Sequence, residues 1–157
     1  MKYQLIEIST NAVALESDTK TQHGGNWGDP AQFKWVETPA SRLLDLAKTS
    51  KEEELKDAFT QSLASGFTCT NGITMDATME AITKLESGYN LAVRLAATTM
   101  DIRDFSNATH ANTPIADVDT MITELGSNYL AQWTNKNTKI DLVKSKMKVS
   151  TVEKVKW

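Results

Sequence analysis

The sequence predicts an α+β chain, mainly α, on three observations. From about Ala40 onward, apolar residues recur at helical spacings of three and four. The first forty residues instead hold short alternating runs broken by turn composition. Between two helical patterns, Ser65-Gly66-Phe67-Thr68-Cys69-Thr70-Asn71-Gly72-Ile73-Thr74-Met75-Asp76 carries a hairpin signal. The expected architecture is a small N-terminal antiparallel β unit with a loop over residues 1–39, then a helical domain over 40–157. That domain is expected to be a bundle of three long helices, with a short β-hairpin at 67–75 between the first two.

In the β unit, Tyr3, Leu5, Ile6, Ile8, Val13 and Leu15 fall in two runs divided by Ser9-Thr10-Asn11, which predicts a hairpin. Gly24-Gly25-Asn26-Trp27-Gly28-Asp29-Pro30 predicts a loop, and Gln32 to Glu37 a third strand closed by Thr38-Pro39. Three strands bury little surface, so this unit must lean on the helices or on another molecule. In the first helix, Thr49-Ser50-Lys51 interrupts the pattern, and Ser50 with Glu53 has capping-box spacing that predicts a restart. Leu55, Ala58, Phe59 and Leu63 then share one face, and Gly66 stands where a left-handed C-terminal cap belongs. Asn71-Gly72 predicts a two-residue type I′ turn, in which Thr70 faces Ile73 and Thr68 faces Met75. That register puts apolar groups on both faces and leaves Ile73 and Met75 outward, toward a partner.

Asp76 is the expected N-cap of a helix reaching about Met100, and Asp101 to Asn112 reads as polar and irregular. Thr113-Pro114 opens the last long helix, with proline at its first position. Val118, Ile122, Leu125, Tyr129, Gln132, Lys136, Ile140, Val143 and Met147 step along it as a coiled-coil-like seam. Gln132 and Lys136 make that seam impure, and Trp133 sits beside it, so a bend or a partner is expected there. Ser150-Thr151-Val152-Glu153 repeats the capping-box pattern, and Trp157 carries enough apolar surface to be expected docked on the bundle or on a neighbouring subunit.

With 17 basic and 20 acidic residues and a net charge of −3, the 157-residue chain has no general draw toward nucleic acid or an anionic membrane. Its apolar runs fall short of the ~20 residues a membrane helix needs. Lysines crowd the end of the chain, at 136, 139, 144, 146, 148, 154 and 156, where a solvated helix face accounts for them. One cysteine, Cys69, excludes an intramolecular disulfide and a multi-cysteine zinc site. Met1 to Ile8 lacks the pattern of a signal peptide, and a reducing compartment is expected.

Chemistry is hard to find. Cys69 with His23 or His110 would make a nucleophile and base, but the histidines lie in polar loop sequence and no motif frames the cysteine. Asp101-Ile102-Arg103-Asp104-Phe105-Ser106-Asn107 offers oxygen ligands without calcium-loop spacing, and Gly24-Gly25 with Gly28 lacks the flanks of a phosphate loop. No catalytic, cofactor-binding or metal-ligating residues are therefore expected. His23, Trp27 and Trp35 suggest either an aromatic recognition surface, as for a sugar, or packing of the β unit.

From about Glu54 to Trp157 the chain resembles a domain of unknown function that recurs in tailed-phage and prophage proteins, commonly tail-fibre and tail-fibre-assembly components. The resemblance runs through Gly66-Phe67, Asn71-Gly72-Ile73, Asp76, Arg103-Asp104, Asn107, Thr113, Thr151-Val152-Glu153, Val155 and Trp157. Asp29-Pro30, Phe33, Trp35 and Pro39 are similar to the N-terminal segment of small tail-fibre-assembly proteins. The resemblance implies a non-enzymatic tail protein: a virion component of the baseplate or tail-fibre attachment region, or else an assembly chaperone not retained in the virion. It supplies no active site. A small phage enzyme using Cys69 or the Asp101–Asn107 loop, and a carbohydrate-binding module, are the other readings. The residues expected to meet other tail proteins or further copies are Trp27, Trp35, Ile73, Met75, Gln132, Trp133, Lys136 and Trp157.

Overall fold

The structure, a computed structural model, describes residues 3–7, 13–17 and 33–157, and before Val36 it describes side chains only at Tyr3, Gln4 and Val13. The alternating N-terminal runs form three strands, β1 (Tyr3–Glu7), β2 (Val13–Ser17) and β3 (Phe33–Glu37). They make one antiparallel sheet in the order β2-β1-β3, with Tyr3 opposite both Ser17 and Glu37. The expected glycine-rich loop, Trp27 and His23 lie outside the described residues.

Helix dominates the rest of the chain. Helix α1 (Ala40–Ala64) leads into the hairpin β4 (Phe67–Thr68) and β5 (Thr74–Met75), then α2 (Met79–Arg94), a second hairpin of β6 (Thr99–Arg103) and β7 (Thr109–Pro114), α3 (Ile115–Ser145) and a single turn, α4 (Val149–Val152). Among the described residues, no helix is long and apolar enough to cross a membrane. Contacts divide the chain into two units. One holds residues 1–51 and 143–155; the other holds 52–142 and 156–157. In the first, Val143, Val152 and Val155 are buried, and the Lys48 ammonium donates to the Lys144 carbonyl at 2.8 Å.

Several local expectations are corrected. Helix α1 is continuous through Thr49-Ser50-Lys51. Ser50 caps nothing there, and Glu53 instead pairs with Lys56 one turn on, at 2.6 Å. The N-cap of α2 is Thr78, whose hydroxyl accepts from the Ala81 amide, while Asp76 accepts from the Thr78 amide just ahead of it. This helix ends at Arg94, six residues before the expected stop. Ala96 at φ 53° closes it with the Ala97 amide on the Ala92 carbonyl and the Ala96 amide on the Val93 carbonyl, a Schellman cap built without glycine. Pro114 ends β7, and α3 runs unbroken from Ile115 to Ser145 past Gln132 and Lys136. Met147 lies beyond the helix and leaves the expected seam. Lys148, not Ser150, is the N-cap of α4, with no side-chain cap bond.

The segment expected to be irregular is the hairpin β6–β7. Met100 opposes Thr113 and Ile102 opposes His110, so three residues span on one strand what four span on the other. Asn112 takes up the extra residue at φ 55°, with its amide bonded to the Asp101 carboxylate at 2.9 Å. The strand's alternation sends Met100 and Ile102 inward, and Ile102 is buried.

Both hairpins close with the same loop. In the first, the Cys69 amide bonds the Ile73 carbonyl and the Gly72 amide returns to the Cys69 carbonyl; in the second, Asp104 with Ala108 and Asn107 with Asp104 repeat the pattern. The third loop residue is left-handed in each: Gly72 at φ 84° and Asn107 at φ 70°. This is a three-residue loop, which replaces the expected two-residue type I′ turn. The register moves by one residue in consequence: Phe67 opposes Met75 and Thr68 opposes Thr74.

That shift gathers Phe67, Cys69, Ile73 and Met75 on one face of the ribbon. The face turns inward. Cys69 and Met75 join the core of the second unit with Leu63 of α1, Ile82 of α2, Ile102 of β6, and Val118, Met121 and Leu125 of α3, while Phe67 and Ile73 pack against it.

Candidate functional site

The aromatic residues of the second unit gather around Phe59. Its position on α1 puts it on the Leu55–Leu63 face, half-buried against the core. Tyr129 of α3 meets the Phe59 ring edge-on, with centroids 5.8 Å apart, and Trp157 lies tilted against the same ring at 6.4 Å. One helical turn beyond Trp133, the Lys136 ammonium lies 4.7 Å from the Phe59 centroid and 5.8 Å from that of Trp133. A cation thus links two rings that do not stack on each other.

The surface is not closed over. Trp133 is 44% exposed and Trp157 39% exposed, and Leu130, one turn before Trp133 on α3, is exposed as well. Lys136 explains the impurity of the α3 seam: its stem covers apolar surface while the charge rests on ring faces, so no bend is needed. Of the residues expected to meet partners, Trp133, Lys136 and Trp157 come together here, and Gln132 is half-buried on the adjoining turn of α3. Phe59 and Tyr129 are additions that the sequence reading missed as site residues. The i, i+4 spacing of Tyr129 and Trp133 was the available signal.

Ile73 and Met75 are not part of an outward surface. Met75 is 6% exposed and Ile73 is packed on the core, because the observed register turns their face inward. Trp27 lies outside the described residues, as does the side chain of Trp35 within β3.

The groups that first suggested chemistry are engaged structurally. Cys69 is buried, and its thiol is pushed up to about 11 by desolvation, with the nearby Glu124 carboxylate adding to it. A thiol so placed is a poor nucleophile near neutral pH. His23 lies outside the described residues. His110 contacts the Asp104 carboxylate at 2.9 Å, within the β6–β7 hairpin. Asp104 is lowered to about 2, first by His110 and then by Ser106, with the Ala108 and Ser106 amides adding smaller contributions against a modest desolvation cost. Its remaining hydrogen bonds go to the loop it shapes, so the carboxylate organises a turn. Among the described residues, no three histidine, cysteine, aspartate or glutamate side chains converge as a metal site.

What the arrangement presents is a partly exposed aromatic patch: two half-exposed tryptophans and one cation held near ring faces. No family model, curated protein or solved structure matches the chain.

Proposed function

We propose that this chain is a non-enzymatic bacteriophage tail protein, a virion component of the baseplate or tail-fibre attachment region that works in multiple copies. The family resemblance over Glu54 to Trp157 supplies the context. The observation that carries the reading is the half-exposed aromatic surface of Trp133 and Trp157 around Lys136. Tryptophan at a partly desolvated surface, beside a long cationic side chain, is the composition of an interface centre. The scaffold behind it is a three-helix bundle of α1, α2 and α3, and the surface, formed by side chains of α1 and α3 with Trp157, is where another tail protein would complete it. Nucleic acid, membrane and small-molecule cofactors have no role in this reading, and the protein is made in the host cytoplasm before it joins the virion.

Cryo-electron microscopy of intact particles tests it: density for this chain in mature tails is the expected result. Presence during assembly but absence from finished tails assigns the chain to the chaperone class. In the same particles Trp133→Ala with Trp157→Ala should weaken incorporation by about thirtyfold or more, the size of a typical tryptophan hot spot. Normal incorporation and infectivity of that double variant would remove the aromatic surface from the interface.

A further inference from the structure

A second concave feature lies away from the aromatic surface, where the start of α2 meets β6. It is a cavity of about 500 Å³, within the ordinary range of binding pockets. Its floor is apolar, with Leu85, Met100 and Ile102 among the lining. Its rim is charged and unbalanced: Asp76, Glu80, Asp101 and Asp104 stand against Lys84 and Arg103.

The carboxylates are not equally engaged. Glu80 pairs with Lys84 at 2.6 Å, and Asp104 is saturated by its own loop and His110. Asp76 and Asp101 each use one oxygen on a backbone amide, of Thr78 and Asn112, and their second oxygens have no hydrogen-bond partner among the described residues. An apolar floor beneath surplus negative charge suits an apolar group flanked by cations and disfavours an anion.

The chain itself carries such a group. Between α3 and α4 runs Lys146-Met147-Lys148, and Met147 is 80% exposed. From Lys144 to Lys156 there are five lysines and one acid, Glu153. Methionine is an adaptable plug for an irregular apolar hollow, and lysine stems can lie along a pocket wall while their ammonium groups reach its rim.

We infer that the Lys146-Met147-Lys148 knob of one copy docks in the acidic-rimmed cavity between α2 and β6 of a second copy. Knob and cavity are different surfaces, so the contact is head-to-tail and propagates into a ring or an open array. This inference goes beyond the tail assignment and stands on the cavity and knob alone.

Sedimentation of the full chain over a range of concentration and salt tests it, with circular dichroism to confirm that each variant is folded. The wild type should self-associate with a dissociation constant below about 1 mM, more weakly as salt rises. Met147→Glu spoils the knob and Glu80→Lys reverses charge on the rim; both are exposed positions, and each alone should weaken association about tenfold or more. Mixed one to one, the two variants should recover one good contact, between the intact knob of the Glu80→Lys chain and the intact cavity of the Met147→Glu chain. The mixture should therefore form dimers and stop. A wild type that stays monomeric up to that concentration, an effect from only one of the variants, or a mixture no different from its parts would each overturn the inference.

Discussion

Glu124 of α3 holds Thr70 at two points: the Thr70 amide donates to one carboxylate oxygen at 2.9 Å and the Thr70 hydroxyl to the other at 2.6 Å. This pair fastens the tip of the first hairpin to the helix. The Thr70 hydroxyl, then its amide, hold the Glu124 carboxyl below its ordinary value of 4.5. A lowered carboxyl stabilises the fold above its unfolded value and loses that contribution as pH falls through its folded value. Urea unfolding should therefore show Glu124→Gln less stable than the wild type at pH 7, with the gap closing below pH 4.5. A gap that does not change with pH would mean that the charge has no part in the contact.

Gly66 and Gly72 are both left-handed, at φ 72° and φ 84°, but their surroundings differ. A Cβ at Gly66 would lie 3.0 Å from the Met75 carbonyl oxygen and 3.1 Å from Phe105, whereas one at Gly72 would meet nothing within 4 Å. Gly72→Ala should cost only the backbone term, about 1–2 kcal/mol. Gly66→Ala adds a steric clash with backbone and should cost measurably more in the same denaturation assay. Equal losses would show that the contact at Gly66 relaxes freely.

Ala96 gives the opposite sign. It occupies the left-handed position of the α2 cap at φ 53°, where an L-residue is strained by about 1–2 kcal/mol relative to glycine. Ala96→Gly also gains unfolded-state entropy, which opposes part of that relief. The expected net effect is a stabilisation of up to about 1 kcal/mol, read as a raised urea midpoint. A lowered midpoint would show that the alanine methyl makes contacts that outweigh its strain.

The hairpins show what the sequence could and could not disclose. Asn71-Gly72 located the first turn, but dipeptide composition does not distinguish a two-residue loop from a three-residue loop ending in glycine. The one-residue difference reversed the assignment of Met75 from surface to core. The second hairpin has only Met100 and Ile102 as alternating apolar residues, and its turn rests on Asp104 and a left-handed Asn107, so local composition resembled a loop. Long periodic helices were legible because many positions report the same period. The aromatic surface was legible only in part: Trp133, Lys136 and Trp157 stood out, whereas Phe59 reads as an ordinary core residue until α1 and α3 are placed together.

Asp104 should set an acid limit on the second hairpin. Its carboxyl falls from 3.8 to about 2, so its contribution is complete above the unfolded value and is lost as pH drops from about 4 toward 2. Asp104→Asn removes the charge that His110 and the Ser106 hydroxyl meet. Hydrogen exchange at the Ala108 and Ser106 amides, which bond this carboxylate, should quicken in the variant while the α3 core stays protected. Unchanged exchange at both amides would remove Asp104 from its turn-forming role.

Cys69 separates the binding-surface reading from an enzymatic one. Its thiol moves from an ordinary 9.0 to about 11 by burial first and Glu124 second, so the thiolate fraction near neutral pH falls about a hundredfold. At 3% exposure the sulfur is also shielded from a reagent in solution. Labelling with a chromogenic disulfide at pH 8 should therefore be at least about a hundredfold slower in the native protein than in denaturant. Rapid native labelling would show an accessible, activated thiol, and Cys69 would then have to be reconsidered as the nucleophile of a small enzyme. Slow labelling places the sulfur where its neighbours already put it: on the inward face of the hairpin, opposite Ile73 and beside Met75 in the core.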